Sequence, residues 1–173
     1  MTMVQIISRR SLKGIWRNDD GATAIEFAFV APLLFLTLFS LVEIGMLAMM
    51  SSGLDNAVYE TARRIRTGRD DAATNASGFE DQICARLGGN LSSCKERLTI
   101  SVQRFDHFSD ANAIVTAAPA GQFNKGVADD IIVVKADYEW PLMTPFIATA
   151  YNRSGPLSVT LGSRTAFKNE PFE

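Results

Sequence analysis

An apolar run dominates the first third of the chain and predicts a membrane-spanning helix. Sixteen residues without a charge lie between Glu26 and Glu43, and only a threonine and a serine among them are polar. Residues 44–50 prolong the run. As a helix rising about 1.5 Å per residue, residues 27–50 cover roughly 36 Å, enough to cross a hydrocarbon core of about 30 Å. We therefore expect a transmembrane helix over residues 22–50.

After this run the pattern changes from uniformly apolar to amphipathic. Apolar side chains recur at helical spacing, at Leu54, Val58, Ala62 and Ile65. Charged residues occupy the other side, and Gly68 is a typical C-terminal stop. We therefore expect the helix to continue outside the membrane over residues 51–67, with its apolar stripe against a core.

A second, shorter helix is predicted beyond a polar loop. Ser77 and Glu80 have the S-x-x-E spacing of a capping box, which predicts where the helix begins. The glycines at positions 88 and 89 predict its end. The apolar face consists of Phe79, Ile83 and Leu87.

Three later segments alternate between apolar and polar residues, as strands do. Their apolar positions are Leu98, Ile100 and Val102, then Ile132, Val134, Ala136, Tyr138 and Trp140, then Leu157, Val159 and Leu161. A sheet with one apolar face needs a cover, and the helical stripe can provide it. The predicted fold class is α+β, with a long N-terminal helix packed on a small, mostly antiparallel sheet of about three strands. Residues 68–173 form the domain beyond the helix, and residues 105–129 form a long loop.

Composition excludes one class of partner and suggests a compartment. The 173 residues carry a net charge of −2 and a pI of about 5.5, so no basic surface argues for nucleic acid. Cys84 and Cys94 are too few for a zinc site and lack the CxxC spacing of a redox motif. A disulfide between them is expected if this part is exported, and two free thiols are the alternative.

The charges before the apolar run predict its orientation. Four basic residues precede it, at Arg9, Arg10, Lys13 and Arg17. Positive charge next to a span holds that end in the cytoplasm. A second basic cluster, between Arg63 and Arg69, weakens this prediction without reversing it, because it lies well beyond the span. We expect residues 1–21 in the cytoplasm, and the domain after the helix in the periplasm.

A secretory signal peptide explains the N-terminal region poorly. Its apolar part should be about 7 to 15 residues long and end at a small-x-small site. Here the run continues past Glu43 and has no clear site of that type before Met50. Gly21 instead stands directly ahead of the run, with Glu26 five residues later.

This arrangement, GATAIEF from Gly21 to Phe27, resembles the class III signal of type IV prepilins. It is most similar to the signal of TadE/TadF-type pseudopilins of tight-adherence (Tad/Flp) pili. Three later blocks also resemble that family: LDNAVYETARRIRTG after the span, YEWPLMTPF in the C-terminal half, and the closing FKNEPF. The combination is more specific than any one block.

The resemblance implies a fold, a processing step and a set of partners. The fold is type IV pilin-like, and a prepilin peptidase cuts between Gly21 and Ala22 on the cytoplasmic face. Glu26 and Phe27 belong to the part that is recognised and assembled, with Glu26 pairing with the N-terminus of a neighbouring subunit. The implied partners are the peptidase, other pilins and pseudopilins, the inner-membrane assembly platform and the lipid bilayer.

The chemistry of Glu26 and Glu43 leaves alternatives open. A carboxylate at the edge of hydrocarbon is costly and needs a cation or a position at the interface. The free amino group of Ala22 after cleavage is one such cation for Glu26, and Arg17 or water is the alternative. Glu43 either lies in the outer leaflet and pairs with another subunit, or marks the end of the span and faces water.

Catalysis has little support in the sequence. His107 is the sole histidine, and its neighbours Asp106, Ser109 and Asp110 lie in a polar loop without an oxyanion motif or glycine elbow. We therefore expect no catalytic residues, no metal and no cofactor. The predicted function is that of a minor pseudopilin, a non-catalytic assembly subunit of a Tad pilus in the bacterial inner membrane. The alternatives are a membrane-anchored periplasmic binding or sensor domain, and a tethered hydrolase that uses His107.

Overall fold

The computed structural model describes residues 21–88, 90–108, 120–144, 147 and 157–171. The expected leader at residues 1–20 and the middle of the predicted 105–129 loop lie outside the described residues. The chain divides into two compact units, Met1–Phe39 and Ser40–Glu173. These are called the N-terminal unit and the C-terminal unit below.

Three helices and three strands make up the described structure. The helices are α1 (Ala22–Arg66), α2 (Ala76–Leu87) and α3 (Leu91–Lys95), and the strands are β1 (Leu98–Phe105), β2 (Ile131–Pro141) and β3 (Ser158–Lys168). The strands form one antiparallel sheet in the order β1-β2-β3. This confirms the predicted α+β class and is consistent with a pilin-like fold.

Helix α1 continues without a break from the apolar run into the amphipathic stripe, as predicted. Within the C-terminal unit, Leu54, Val58 and Ile65 are at most 2% exposed and belong to the same core cluster as the sheet. Members of that cluster from α2 and from the predicted faces of β1 and β2 include Phe79, Ile83, Ile100, Val102, Ile132, Val134 and Ala136. The predicted packing of stripe on sheet is confirmed.

The start of α2 differs from the prediction. Asn75 is the N-cap, and its Oδ1 accepts a hydrogen bond of 2.7 Å from the N–H of Gly78. An N-cap side chain satisfies a free N–H of the first turn, and asparagine is among the best residues for this role. Ser77 therefore lies inside the helix, where its hydroxyl is bonded to Lys95 Nζ at 2.8 Å. The S-x-x-E spacing was a misleading signal because a stronger cap stands two residues earlier.

Strand β3 is longer than the alternation of large apolar residues indicated. It runs to Lys168, although Ser163 and Thr165 interrupt the apolar face after Leu161. Its register with β2 places Ser163, Thr165 and Phe167 opposite Ala136, Val134 and Ile132. Small polar residues on an edge strand lie at the margin of the core, and for that reason hydrophobicity alone did not reveal them.

Candidate functional site

Among the described residues, none covers the N-terminal edge of α1. Gly21 stands immediately before the helix, Ala22 is its first residue, and both are exposed. A Cβ atom added to Gly21 would meet no other atom within 4 Å. A protease or a partner can therefore reach this peptide without displacing any described part of the chain.

Glu26 and Phe27 follow on the same exposed helix. The Phe27 ring is 65% exposed, and the Glu26 carboxylate forms no ion pair with the described part of the chain. Large apolar side chains surround them; the exposed ones in the N-terminal unit are Ile25, Phe27, Phe29, Val30, Leu33, Leu34, Phe35, Leu36, Leu38 and Phe39. An apolar surface of this size marks contact with lipid or protein.

Length and composition make α1 a candidate membrane span. Its most apolar window has a mean hydropathy of 2.2, and only 6% of that window is buried inside the structure. A helix that is apolar all round and uncovered is compatible with a single-pass membrane anchor.

Glu43 is the best-defined polar group of the C-terminal unit. Its side chain is buried, with 4% of its surface exposed. The N–H of Thr144 donates a hydrogen bond of 3.0 Å to Oε2, and the Thr144 hydroxyl donates to the same oxygen. The N–H of Met143 donates to Oε1. Three donors therefore hold both carboxylate oxygens, which offsets much of the cost of burying the charge.

Apolar contacts surround this carboxylate. Leu47, one helical turn after Glu43, is 5% exposed and packs with Leu142, Ile147 and Val159 in a second core cluster. Trp140 and Leu161 pack against both this cluster and the main core. The segment after β2 is thus attached to α1 at two points one helical turn apart: by hydrogen bonds to Glu43 and by apolar contacts with Leu47.

In the structure Glu43 is buried, and its carboxylate accepts bonds from partners 100 and 101 residues further along the same chain. The sequence analysis weighed only water or another subunit as its partner, and pairing with another subunit stays a prediction. The sequence around a single acidic residue in an apolar run does not reveal a partner that lies a hundred residues away. The only signal was the YEWPLMTPF block, which supplies Met143 and Thr144.

Comparison with known families matches the part of the chain that contains Gly21, Glu26 and Glu43. Residues 21–63 match the family model for TadE-like proteins. The match covers about a quarter of the 173-residue chain and confirms the resemblance predicted from the GATAIEF signal and the span. It indicates a protein associated with Tad pili, a structural rather than typically catalytic family. Searches among curated proteins and among solved structures found no match.

The TadE-like segment ends near the close of α1, where the FKNEPF block meets it. The N–H of Glu170 donates to the carbonyl oxygen of Arg66 at 2.9 Å, and the Glu170 carboxylate pairs with the Arg66 guanidinium at 3.1 Å. Asn169 is 2% exposed, and its Nδ2 donates to the carbonyl oxygens of Lys125 and Val127 at 3.0 and 2.9 Å. The end of the TadE-like helix is therefore joined to the chain's last described residues.

A disulfide joins Cys84 and Cys94 in the structure. Their Cα atoms are 5.8 Å apart, and both residues are buried. Cys94 lies in α3, a short helix that the sequence analysis did not predict. Lys95 adds a second link to α2 through its 2.9 Å ion pair with Asp81. The pair thus fastens α3 to α2 on the side of the sheet that the TadE-like stripe covers.

The acidic residues near His107 have structural partners. Arg104 lies 3.1 Å from Asp106 and 2.8 Å from Asp130. Its hydrogen bond, followed by one from the N–H of Val127, holds the pKa of the Asp130 carboxyl below the ordinary value. Asp129, which has a positive φ of 67°, pairs with Lys168 at 2.7 Å. Asp129 and Asp130 therefore stabilise the turn before β2, and Asp106 pairs with Arg104 at the end of β1.

His107 itself is exposed and lies beyond the end of β1. Ser109 and Asp110, the other residues of the catalytic alternative, fall outside the described residues. Within the described ranges, no group of three or more His, Cys, Asp or Glu side chains is placed to hold a metal ion.

Proposed function

We propose that this chain is a minor pseudopilin, a non-catalytic assembly subunit of a Tad pilus that prepilin peptidase cleaves between Gly21 and Ala22. The observation that carries the proposal is the coincidence of three features at one point. The TadE-like match begins at residue 21, the helix begins at Ala22, and the peptide between them is uncovered.

The proposed precursor sits in the inner membrane as a single-pass protein, with residues 1–21 in the cytoplasm and the C-terminal unit in the periplasm. The exposed apolar surface of α1 supports anchoring in lipid before assembly and packing against other pilin helices afterwards. An exported C-terminal unit also suits a disulfide, which forms and persists in oxidising compartments.

In this proposal, Glu26 determines how neighbouring helices align during assembly. Its carboxylate is exposed and without an ion pair in the described part of the chain, so it is available to a cation of another subunit. Cleavage creates such a cation, the α-amino group of Ala22. In a low-dielectric environment the pairing of these two charges is strong and sensitive to position, which favours one stagger of neighbouring helices.

Processing can be tested with two glycine variants of the same helix. At Gly21 and at Gly45 an added Cβ meets no described residue within 4 Å, apart from its chain neighbours and the local helix backbone, so the two positions are comparable sites for valine. Co-expressed with an active prepilin peptidase, the parent and Gly45→Val are expected to yield a chain that starts at Ala22, as read by intact mass and N-terminal sequencing. Gly21→Val is expected to stay uncut.

The same measurement separates the pseudopilin from its alternatives. A periplasmic sensor domain or a tethered hydrolase has no need of this cleavage. If the parent chain keeps the residues before Ala22 in cells with a demonstrably active peptidase, the pseudopilin proposal is wrong.

A further inference from the structure

The partners of Glu43 limit how far the bilayer extends along α1. The chain from Leu142 to Thr144 is neither helix nor strand, and it contacts the Glu43 carboxylate through two N–H groups. The N–H of Leu142 in turn donates to the carbonyl oxygen of Leu157 at 2.8 Å. Irregular backbone that is exposed to lipid is avoided in the hydrocarbon core. Met143, which is 79% exposed, belongs to such a segment beside Glu43. This favours a hydrocarbon core that ends before Glu43.

The length of the remaining apolar helix agrees with this limit. Residues 22–42 rise about 32 Å as a helix and the uncharged residues 27–42 about 24 Å, so the two lengths bracket the roughly 30 Å of a hydrocarbon core. An exit at Met50, as hydropathy alone indicates, places Glu43, Met143 and Thr144 inside the core. The division between the two compact units lies after Phe39, which is closer to an exit from the bilayer before Glu43 than to one at Met50.

Four exposed apolar residues of the C-terminal unit lie close to Glu43 or to its partners, where the hydrocarbon core is inferred to end. We call them the exit collar: Ile44, Met46, Met143 and Leu157, which are 48%, 38%, 79% and 46% exposed. Met143 follows β2 and Leu157 precedes β3, so both are distant from α1 in sequence. The hydrogen bonds described above nevertheless hold the backbone of Met143 beside Glu43 and that of Leu157 beside Leu142. None of these side chains belongs to the span itself.

Resting on the membrane anchoring proposed above, we infer that the exit collar inserts into the headgroup layer of the outer leaflet. Leu41 and Val42, 68% and 54% exposed, connect the collar with the apolar surface of the span along α1. Ile44 and Met46 lie within about 6 Å of Val42 along the helix axis, and the headgroup layer is about 5 to 7 Å thick. Lipid is therefore the occupant whose dimensions fit the collar.

Val127 provides a matched control at the other end of the sheet. It is an exposed apolar residue, 67% accessible, next to the turn where β2 begins, whereas Met143 follows the end of β2. The eleven residues of β2 separate the two positions by roughly 36 Å at about 3.3 Å per residue. The inference places Met143 in the headgroup layer and Val127 in water.

The experiment uses the full chain in vesicles of neutral phospholipid, with or without bromine near the glycerol end of the acyl chains. Met143→Trp and Val127→Trp are compared with the parent, whose own tryptophans set the background. Flotation verifies that each protein is in the membrane. We expect brominated lipid to quench the added emission of Met143→Trp and to leave that of Val127→Trp unchanged.

Three other results overturn the inference. Emission of Met143→Trp that is neither quenched nor shifted to the blue in floated protein shows that the collar stands clear of the lipid, and leaves the anchor and the proposed function intact. Emission of Met143→Trp that is shifted to the blue but not quenched shows that protein, not lipid, covers the collar. Failure of the parent to float removes the anchor and the collar together.

Discussion

Glu43 shows how one side chain determines where the helix is attached. It accepts bonds from Met143 and Thr144, which lie after β2, so its removal leaves buried N–H groups without an acceptor. We expect Glu43→Ala to lower the free energy of unfolding of the C-terminal unit by about 2 kcal/mol, the usual cost of unpaired buried donors. Urea unfolding of the detergent-solubilised protein, followed by tryptophan fluorescence, measures this change.

Glu60 is the matched control for that prediction. It is a carboxylate on the same helix, half-exposed, and its nearest cation, Arg63, is 3.9 Å away. Glu60→Ala should change the free energy of unfolding by less than about 0.5 kcal/mol. Equal losses in both variants, or none in either, would show that the bonds of Glu43 contribute nothing special to stability.

For single residues, the sequence predicted which apolar side chains are buried but not which distant groups the polar side chains bind. The apolar stripe and the faces of β1 and β2 followed from spacing alone, because period and burial are linked. Glu43 was recognised as unusual, but hydrogen bonds across about a hundred residues leave no local pattern. The same holds for Asn169, whose burial depends on carbonyl groups of a turn more than forty residues earlier.

At the scale of elements, the disulfide fastens α3 to α2. Closing a loop of ten residues stabilises a protein by about 3 kcal/mol in the chain-entropy model. We expect Cys84→Ala combined with Cys94→Ala to lower the free energy of unfolding by that amount. Urea unfolding measures it, and the parent should show the same loss when it is unfolded in the presence of a reductant.

The double variant also serves as the control for the reductant. Because it has no cysteines, reductant should leave its unfolding unchanged. If non-reducing mass analysis of exported parent protein finds two free thiols, or if reduction does not alter its stability, the link between α2 and α3 rests on packing and on the bonds of Lys95 to Asp81 and Ser77.

Helices and strands with a clear hydrophobic period were predicted correctly. Boundaries that depend on individual hydrogen bonds were not. Helix α1 and strand β2 have strong periodicity and were found. The start of α2 depends on a single side-chain bond from Gly78 to Asn75, and the second half of β3 depends on pairing with β2, so both were misjudged. Helix α3 is too short for a hydrophobic period to appear.

At the scale of the whole molecule, the three blocks noted in the sequence after the span share one structural task. LDNAVYETARRIRTG forms the part of α1 that packs on the sheet, YEWPLMTPF supplies the partners of Glu43, and FKNEPF is bonded to the end of α1 at Arg66. All three keep the C-terminal unit attached to one helix. The exposed residues before Ser40 are not needed for that attachment, so they are available for lipid, peptidase and other subunits.

Glu26 lies among those exposed residues, and its proposed role predicts a defect in assembly without a defect in folding. Glu26→Ala should leave membrane insertion and the stability of the C-terminal unit unchanged, because the side chain contributes no ion pair to the described structure. Co-purification with other pilins should fall roughly a hundredfold, since leaving one charge of a desolvated pair alone costs about 3 kcal/mol. Glu26→Gln, which keeps the shape and removes the charge, should show a similar defect, whereas Glu60→Ala should assemble as the parent does. Normal piliation with Glu26→Ala would mean that the subunit is ordered by its apolar surface alone.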